Sequence, residues 1–213
     1  MSDKEKLRQA VDDFLKKIQA NLPARKADKL FVLGFVGLIA SGKSAAAKML
    51  AEKIPGAVLV KSNSARWLLK EAGLKWGDNV REMTFRTASW LLENGYAVIF
   101  DGDHAEEQKR IATQKLADEA DVPFYLVRIK PDAELSRRRL RQKQETLERG
   151  EFLQDFENFL VVTRGKEENL ERRIPLHEAL ESEKLSQLIG ELDNSGTMEE
   201  LKNQLEGIAE RIK

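Results

Sequence analysis

The feature that most constrains the fold of this chain is a glycine-rich stretch, GLIASGKS, at residues 37–44. Its spacing satisfies G-x-x-x-x-G-K-[ST], in which the glycines let the backbone curl so that successive N–H groups point inward. A continuous apolar run, LFVLGFV, precedes the stretch, and three alanines follow at 45–47. The run suits a strand buried on both faces of a parallel sheet, and the alanines suit a helix packed closely on that sheet. The stretch therefore predicts a strand, a phosphate-binding loop and a helix in succession.

The chemistry predicted for this loop is the binding of a nucleoside triphosphate together with magnesium. Lys43 would reach the β and γ phosphates, and the hydroxyl of Ser44 would be a magnesium ligand. The alternative interpretation is a glycine turn with a surface lysine. The nucleotide-binding residues predicted from the loop are Gly37, Ala40, Ser41, Gly42, Lys43, Ser44 and Ala45.

Apolar runs alternate with helical periodicities along the rest of the chain. Thr197 and Glu200 have the spacing of a capping box at the start of the last helix. Strands separated by helices imply right-handed crossovers, so we predict a three-layer α/β fold with a five-stranded parallel sheet and helices on both faces. Further strands are expected at 57–60, 96–100, 123–129 and 188–192, and helices at 4–20, 64–72, 78–93, 105–119 and after residue 197.

The same patterns predict the domain organisation. Residues 1–27 are expected to form an amphipathic helix and a linker, and the helix is expected to pack on the main domain. Residues 28–213 are expected to form one domain. A charged, mostly helical lid or acceptor-side insert is expected within it at about 137–175.

Composition excludes several classes of function. Thirty-six basic and thirty-six acidic residues cancel, so the overall charge gives no reason to expect a nucleic acid or an acidic membrane as partner. The absence of cysteine excludes disulfides and thiolate catalysis, and two histidines, His104 and His177, argue against a histidine zinc site. The N-terminal segment lacks an apolar signal core, and no apolar run is long enough to span a bilayer. We therefore expect a cytoplasmic protein.

The chain resembles the P-loop kinases of nucleotides and small metabolites, in particular the adenylate kinase, polynucleotide kinase and zeta-toxin groups of AAA-type ATP-binding proteins. The resemblance rests on the loop at 37–44 and on the absence of the GTPase signatures N-K-x-D and D-x-x-G after the third strand. It extends over about residues 30–211. It implies ATP and Mg²⁺ as cofactors and a small-molecule acceptor for the γ-phosphate.

The segment VLVKSNSARWLL follows the second predicted strand. Polynucleotide-kinase-like enzymes have the motif Asp-x-x-Arg at this place, in which the aspartate acts as a base and the arginine binds an acceptor phosphate. The matching residues in this chain are Asn63 and Arg66. An asparagine does not accept the proton of an alcohol, so the resemblance implies either an acceptor that is already an ionised phosphate or a different base. The alternative is a helix cap at 62–64 with Arg66 as an exposed helix residue.

The segment VIFDGDHAEEQKR follows the third predicted strand. Asp101 lies where that strand ends beside the phosphate loop, a position that suits a magnesium ligand. The segment is loosely similar to the adenylate kinase run D-G-x-P-R-x-x-x-Q, with Asp101 and Gly102 matching. Because the arginine of that run is missing, Asp103 and His104 become candidate general bases. Alternatively, Asp103 caps the next helix.

The segment PDAELSRRRLRQKQETLERG corresponds to the arginine-bearing helix and lid of related kinases. The pattern R-L-x-x-[RK] selects Arg139 and Lys143 as the cations that stabilise the transferring phosphoryl group, with Arg139 also placed against the adenine. Arg138 and Arg141 are close rivals. The alternative is a solvated charged face.

Two further segments complete the predicted site. LIGELDNSGTMEEL is similar to the last strand and loop of many P-loop kinases, dephospho-coenzyme A kinase among them, which places Asn194 near the adenine. The insert that begins at EFLQDF offers cations for phosphate. These are Arg164, Lys166, Arg172 and Arg173.

Three functions remain open from the sequence. The leading hypothesis is an ATP-dependent kinase of a small phosphorylated acceptor such as a nucleotide. A second is a kinase of a hydroxyl acceptor, namely a nucleoside, a sugar or a polynucleotide 5′ end, with Asp103 or His104 as base. A third is a non-catalytic nucleotide-binding regulatory module. The residues predicted to be catalytic are Lys43, Arg66, Asp103, Arg139 and Lys143.

Overall fold

A computed structural model describes residues 1–130, 132–148 and 167–212, with side chains described as far as position 145 in the middle range. The predictions made for Arg164 and Lys166 lie outside these residues. Eight helices and five strands occur within them. Among these helices, none is both long enough and apolar enough to cross a bilayer.

The elements alternate as the sequence predicts. In chain order they are α1 (Asp3–Gln19), β1 (Val32–Val36), α2 (Lys43–Lys53), β2 (Ala57–Lys61), α3 (Ser62–Glu71), α4 (Asp78–Glu93), β3 (Ala97–Asp103), α5 (Glu107–Glu119), β4 (Phe124–Ile129), α6 (Ala133–Glu148), α7 (Glu167–Glu181), β5 (Leu188–Leu192) and α8 (Met198–Ile212).

The five strands form one parallel sheet in the order β2-β3-β1-β4-β5. All five residues of the central strand β1 are buried, as the continuous apolar run predicts. Strands β1 and β3 are neighbours, so their carboxyl ends bring the phosphate loop next to the segment 101–103. The predicted α/β fold with a five-stranded parallel sheet is confirmed.

Different helices cover the two faces of the sheet. One face packs against α1, α3 and α4, which contribute Phe14, Leu69 and Leu91 to its core. The other face packs against α2 and α8, which contribute Leu50 and Leu205. Alternate residues of β1 point to the two cores, and the three-layer arrangement follows from that alternation.

The N-terminal helix α1 packs on the main body of the fold. Val11 and Phe14 are buried in the same core as residues of α3 and α4, and Phe14 is 2% exposed. The expected packing of this helix is confirmed. The division of the chain at residue 27 stays a prediction.

Helices α6 and α7 pack against each other beside the phosphate loop. Arg137 of α6 binds the carboxylate of Glu171 on α7, with Nε to Oε1 at 2.6 Å. A small apolar cluster joins Leu140 of α6 and Leu170 of α7 to Leu38 of the loop. The two helices therefore contact the loop directly.

Among the strand and helix bounds predicted above, three differ from the structure by two or more residues. Strand β3 runs to Asp103 instead of ending at 100, because its pairing continues with Lys61 opposite Asp101 and Phe35 opposite Asp103. Helix α3 begins at Ser62 rather than 64, and α5 begins at Glu107 rather than 105.

The capping box predicted at the start of α8 is present. The backbone N–H of Glu200 donates to the hydroxyl of Thr197 at 3.2 Å, and the backbone N–H of Thr197 donates to the Glu200 carboxylate at 2.6 Å. These bonds satisfy two N–H groups at the helix terminus.

Candidate active site

The loop between β1 and α2 has the curled backbone that its glycines predict. Ala40 and Gly42 both have left-handed backbone conformations, with φ of 61° and 101°. That conformation is unfavourable for Ala40 and is of the kind found at functional sites. Gly42 has a second reason to be glycine, since a Cβ there would collide with the side-chain amide nitrogen of Asn194.

The side chain of Lys43 folds back over the loop. Its Nζ donates to the carbonyl oxygens of Gly37 at 2.7 Å and Leu38 at 2.5 Å. Burial lowers the pKa of Lys43, and the charges of Asp103 and Asp101 oppose that shift. The ammonium therefore lies within the loop, where the resemblance places the nucleotide phosphates.

The two residues predicted to bind magnesium, Ser44 and Asp101, contact each other. The Ser44 hydroxyl donates to Oδ1 of Asp101 at 2.9 Å across the junction between α2 and β3. A hydroxyl and a carboxylate are hard oxygen donors, and Mg²⁺ in phosphate-binding sites is commonly held by one or two such groups together with phosphate oxygens and water. The donor set of this pair fits that ion. Elsewhere in the described part of the chain, no group of three or more acidic or histidine side chains is arranged to bind a metal.

Asp103 lies at the centre of a hydrogen-bond network next to the loop. Its Oδ2 accepts from Arg173 at 2.8 Å and from Nε2 of His177 at 3.1 Å. Its Oδ1 accepts from the backbone N–H groups of Ala105 at 3.2 Å and Gly37 at 3.4 Å. The carboxylate is thus engaged on both oxygens, and it links β3 to α7 and to the first residue of the phosphate loop.

The charge state of Asp103 is set by its partners. Burial raises the pKa of Asp103, but the hydrogen bond from His177 and the charges of Lys43 and Arg173 outweigh it and hold the pKa well below its usual range. The side chain is 16% exposed. Asp103 is therefore an ionised carboxylate beside the loop.

His177 is a site residue that the sequence analysis missed. It is buried, and it lies four residues after Arg173 on the same face of α7. The sequence does show that an arginine and one of the two histidines lie four residues apart, which places them on one face of a helix. It does not show which carboxylate the two side chains contact.

Asn63 and Arg66 contact each other at the start of α3. Nη1 of Arg66 donates to the side-chain oxygen of Asn63 at 2.7 Å. The amide of Asn63 therefore holds the guanidinium in place. Neither side chain is fully buried or fully exposed.

Lys109 is a second residue that the sequence analysis missed. It lies in the first turn of α5, and its Nζ donates to the main-chain oxygen of Asp103 at 2.6 Å. Burial lowers the pKa of Lys109 to about 8, and the charge of Arg66 acts in the same direction. Lys109 belongs to none of the sequence motifs discussed above, so the sequence did not identify it as a site residue.

The structure contradicts the hypothesis that His104 is a general base. Its ring is fully buried and packs between Phe100 and Phe124, with ring centroids 6.0 Å away on each side. Nδ1 lies 3.1 Å from the carbonyl oxygen of Gly102, and burial lowers the pKa of His104 well below its usual value. His104 is a core residue because β3 extends far enough to turn its ring inward.

Arg139 and Asn194 both reach the phosphate loop. Nη2 of Arg139 donates to the main-chain oxygen of Asn194 at 2.6 Å, and Nη1 donates to that of Ser41 at 3.4 Å. The side-chain amide of Asn194 donates to the same Ser41 oxygen at 2.7 Å. These bonds join α6 and the loop after β5 to the phosphate loop, so the structure brings these three predicted residues together.

The other cations of α6 are placed differently. Arg138 is exposed, and Arg141 pairs with Glu167 of α7 at 2.6 Å. Lys143 is also exposed, but its charge contributes to lowering the pKa of Lys43. Of the two arginines that rivalled Arg139, neither is shown bound to the phosphate loop in the described residues.

Solved structures with the same fold cover most of this chain. Kti12 from Chaetomium thermophilum, in complex with ADP-AlF3, has a TM-score of 0.61 at 14% identity and covers 85% of this chain and 99% of its own. A gluconokinase from Sinorhizobium meliloti 1021 has a TM-score of 0.54 at 14% identity, and the match covers 88% of this chain and 94% of the gluconokinase chain. The APS kinase CysC of Mycobacterium tuberculosis, in complex with AMPPNP and APS, has a TM-score of 0.52 at 16% identity. The match covers 85% of this chain and 98% of the APS kinase chain. At these identities the likeness establishes the fold.

Sequence comparison supplies the family. Among curated proteins no significant match was found. The AAA domain family matches residues 32–156, which is more than half of the chain and includes the phosphate loop, Asp101 and Arg139. The chain therefore belongs to the AAA domain family.

Proposed function

We propose that this protein is an ATP- and magnesium-dependent phosphotransferase that moves the γ-phosphate of ATP to a small phosphorylated acceptor such as a nucleotide. One observation carries the proposal: the phosphate loop, with Lys43 inside it, lies next to Asp103, and Asp103 also binds the cations Arg173 and Lys109. Two of the similar structures, gluconokinase and APS kinase, belong to kinases by name. A cluster of cationic side chains beside the phosphate loop suits an anionic acceptor.

The phosphate loop and its neighbours would bind the nucleotide. Backbone N–H groups of the loop and the N-terminus of α2 would hold the phosphates, and Lys43 would exchange its two bonds to loop carbonyls for bonds to phosphate oxygens. Arg139 and Asn194 would lie on the adenine side, because both contact Ser41. Ser44 and Asp101 would hold Mg²⁺, which when bound neutralises charge on the phosphate oxygens.

The acceptor side suits a group that is already ionised. Asn63 uses its amide oxygen to orient Arg66, and it offers no base for an alcohol. An acceptor phosphate needs no base, so the chain's contribution would be to position the two substrates and to offset charge on the transferring group. Arg66 and Arg173 would act on the acceptor side, and Lys143 on the lid side.

The proposal is tested by measuring ADP production by the purified protein with a panel of nucleoside monophosphates, nucleosides and phosphorylated metabolites. We expect turnover at roughly 1–100 per second with at least one phosphorylated acceptor. Absence of ADP production across the whole panel, in protein that binds ATP tightly, would instead support a non-catalytic nucleotide-binding module.

A hydroxyl acceptor is the second candidate, because Asp103 is an ionised carboxylate that accepts from the N–H of Gly37 at 3.4 Å and so lies at the start of the phosphate loop. In that mechanism Asp103 would accept the alcohol proton. The change Asp103→Asn should then abolish transfer to nucleosides or sugars. Near-normal turnover of this variant would exclude Asp103 as a base.

A further inference from the structure

His177 is a buried residue of the site to which the function proposed above gives no role. Its side chain is 2% exposed, and Nε2 lies 3.1 Å from Oδ2 of Asp103. An ionised carboxylate only accepts hydrogen bonds, so Nε2 of the histidine is the donor in this contact. Arg173 donates to the same oxygen at 2.8 Å from one turn earlier on α7. Two donors of one helix therefore hold Oδ2 of the carboxylate toward α7.

Gly37 connects the Asp103 carboxylate to the Lys43 ammonium. The N–H of Gly37 donates to Oδ1 of Asp103 at 3.4 Å, and its carbonyl oxygen accepts from Nζ of Lys43 at 2.7 Å. The two charged side chains thus bind the two polar main-chain groups of one loop residue. Burial lowers the pKa of Lys43, and among the charges around it that of Asp103 opposes this shift most strongly. The carboxylate and the ammonium are therefore close enough to attract each other.

A direct ion pair between Asp103 and Lys43 would compete with a nucleotide, because it would occupy the ammonium that the phosphate oxygens need. The bonds from α7 oppose such a pair, since a carboxylate that turned toward Lys43 would lose its donors at Oδ2. Arg173 divides its guanidinium between Asp103 and Glu106, at 2.8 Å and 3.0 Å. Nε2 of His177, in contrast, is directed at Asp103.

We propose that His177 is a positioning residue for nucleotide binding: it holds the Asp103 carboxylate toward α7, so that the Lys43 ammonium stays available to the phosphate groups of ATP. The inference rests on the proposed function. In this role the histidine exchanges no proton with a substrate. It acts on the nucleotide through Asp103 and Lys43.

The dissociation constant of AMPPNP, measured by calorimetry in the presence of Mg²⁺, tests this role. His177→Leu should weaken AMPPNP binding by about tenfold or more, because the charge-assisted hydrogen bond is lost and Asp103 pairs with Lys43. His177→Gln keeps an N–H donor at a similar distance from the main chain and should retain most of the affinity. Adding Asp103→Asn to His177→Leu removes the competing charge and should restore the affinity.

The double variant separates positioning from a merely structural role. If His177 only supported the fold, removing Asp103 as well would weaken AMPPNP binding further, so a double variant without restored affinity would overturn the inference. A second comparison does not require His177→Leu alone to fold. The double variant should bind AMPPNP as tightly as Asp103→Asn does, and markedly weaker binding would show that His177 acts by a route other than Asp103.

Glu178→Leu is the matched control. Glu178 follows His177 on α7, and its side chain is exposed. We expect this variant to bind AMPPNP as the unmodified protein does. Equal affinity in His177→Leu and Glu178→Leu would contradict the positioning role. Failure of the unmodified protein to bind AMPPNP would instead contradict the proposed function, so the two failures are distinguishable.

Discussion

At the scale of single residues, the candidate site is held by side chains that bind main-chain oxygens. Lys43 donates to two carbonyls of the loop, and Arg139 and Asn194 converge on a third, that of Ser41. Such bonds fix the loop in its curled conformation before any ligand binds. They also leave the Lys43 ammonium poised near the phosphate positions, which is the basis of the first prediction.

Replacing Lys43 by alanine should lower turnover by about a hundredfold or more, because the transferring phosphoryl group loses a positioned charge. The fold should persist, since Lys43 contributes no apolar core contact. Steady-state kinetics and thermal unfolding check both parts. The control is Lys48→Ala on the same helix, where the lysine is exposed and lies 4.0 Å from Glu52. Equal turnover in the two variants would contradict the role given to Lys43.

Replacing Gly34 by alanine should destabilise the fold by about 1–3 kcal/mol. The added Cβ would lie 2.7 Å from two atoms of the His104 ring, and that ring is enclosed in the core. The control is Gly207→Ala in α8, where an added Cβ meets no atom within 4 Å. Because alanine is the better helix former, this variant should gain up to about 1 kcal/mol. Urea unfolding measures both, and equal stability of the two variants would refute the steric argument.

At the scale of elements, α7 is the helix that binds the Asp103 carboxylate at the end of β3. Arg173 and His177 lie four residues apart and bind the same oxygen of Asp103. Pro175 lies between them and has no N–H, so the helix lacks one internal hydrogen bond there. The position of α7 therefore depends strongly on its contacts with β3 and α6.

Replacing Arg173 by methionine should lower the free energy of unfolding by about 1–3 kcal/mol and should also lower turnover. The reason is that Asp103 stays ionised after one of its charged partners is removed. The matched control is Arg172→Met. Arg172 is exposed and donates to Asn169 at 3.3 Å, so its loss should change stability by less than about 0.5 kcal/mol. Denaturant unfolding and kcat measure the two effects. Indistinguishable variants would show that α7 does not depend on the contact with Asp103.

At the scale of the whole molecule, the N-terminal helix shares a core with the sheet. Phe14 packs among residues of α3, α4 and the strands, whereas Lys17 on the same helix is exposed. We therefore expect α1 to unfold together with the sheet, while the boundary that the sequence predicts at about residue 27 stays a prediction. A substitution in α1 can measure how strongly the two parts are coupled.

Replacing Phe14 by alanine should cost about 3–5 kcal/mol through lost burial and the cavity left behind. The loss should appear as a shift of one cooperative transition in circular dichroism. Lys17→Ala should leave the transition within about 0.5 kcal/mol of its original position. A separate early transition in Phe14→Ala would indicate that α1 unfolds independently of the main domain.

Much of the fold could be predicted from the sequence, because buried parallel strands and the phosphate loop have local signals. The loop at 37–44 and the apolar run before it placed the central strand and α2 correctly. The contacts of Asp103 could not be predicted in the same way. They depend on a shift in the pairing of β1 with β3 and on residues of α7 that are about 70 positions away in the chain.

The choice among neighbouring arginines also needed the structure. Each step along a helix turns the side chain by about 100°, so one of several consecutive arginines faces the loop while the next faces solvent. Helical periodicity could not identify which one, because the segment is charged on every side. The structure shows Arg139 at the loop and Arg138 exposed. His104 was misjudged for a related reason: its orientation follows from the end of β3, which the sequence placed three residues too early.

The main-chain bonds of the phosphate loop have a consequence for how such sequences diverge. Lys43, Arg139 and Asn194 bind carbonyl oxygens, which every residue type provides. A change of side chain at position 41 therefore leaves the acceptor of two of these bonds in place. The donors and Gly42 are constrained, whereas these bonds place no demand on the type of side chain at position 41. The geometry of the loop can thus be retained when the side chain at position 41 changes.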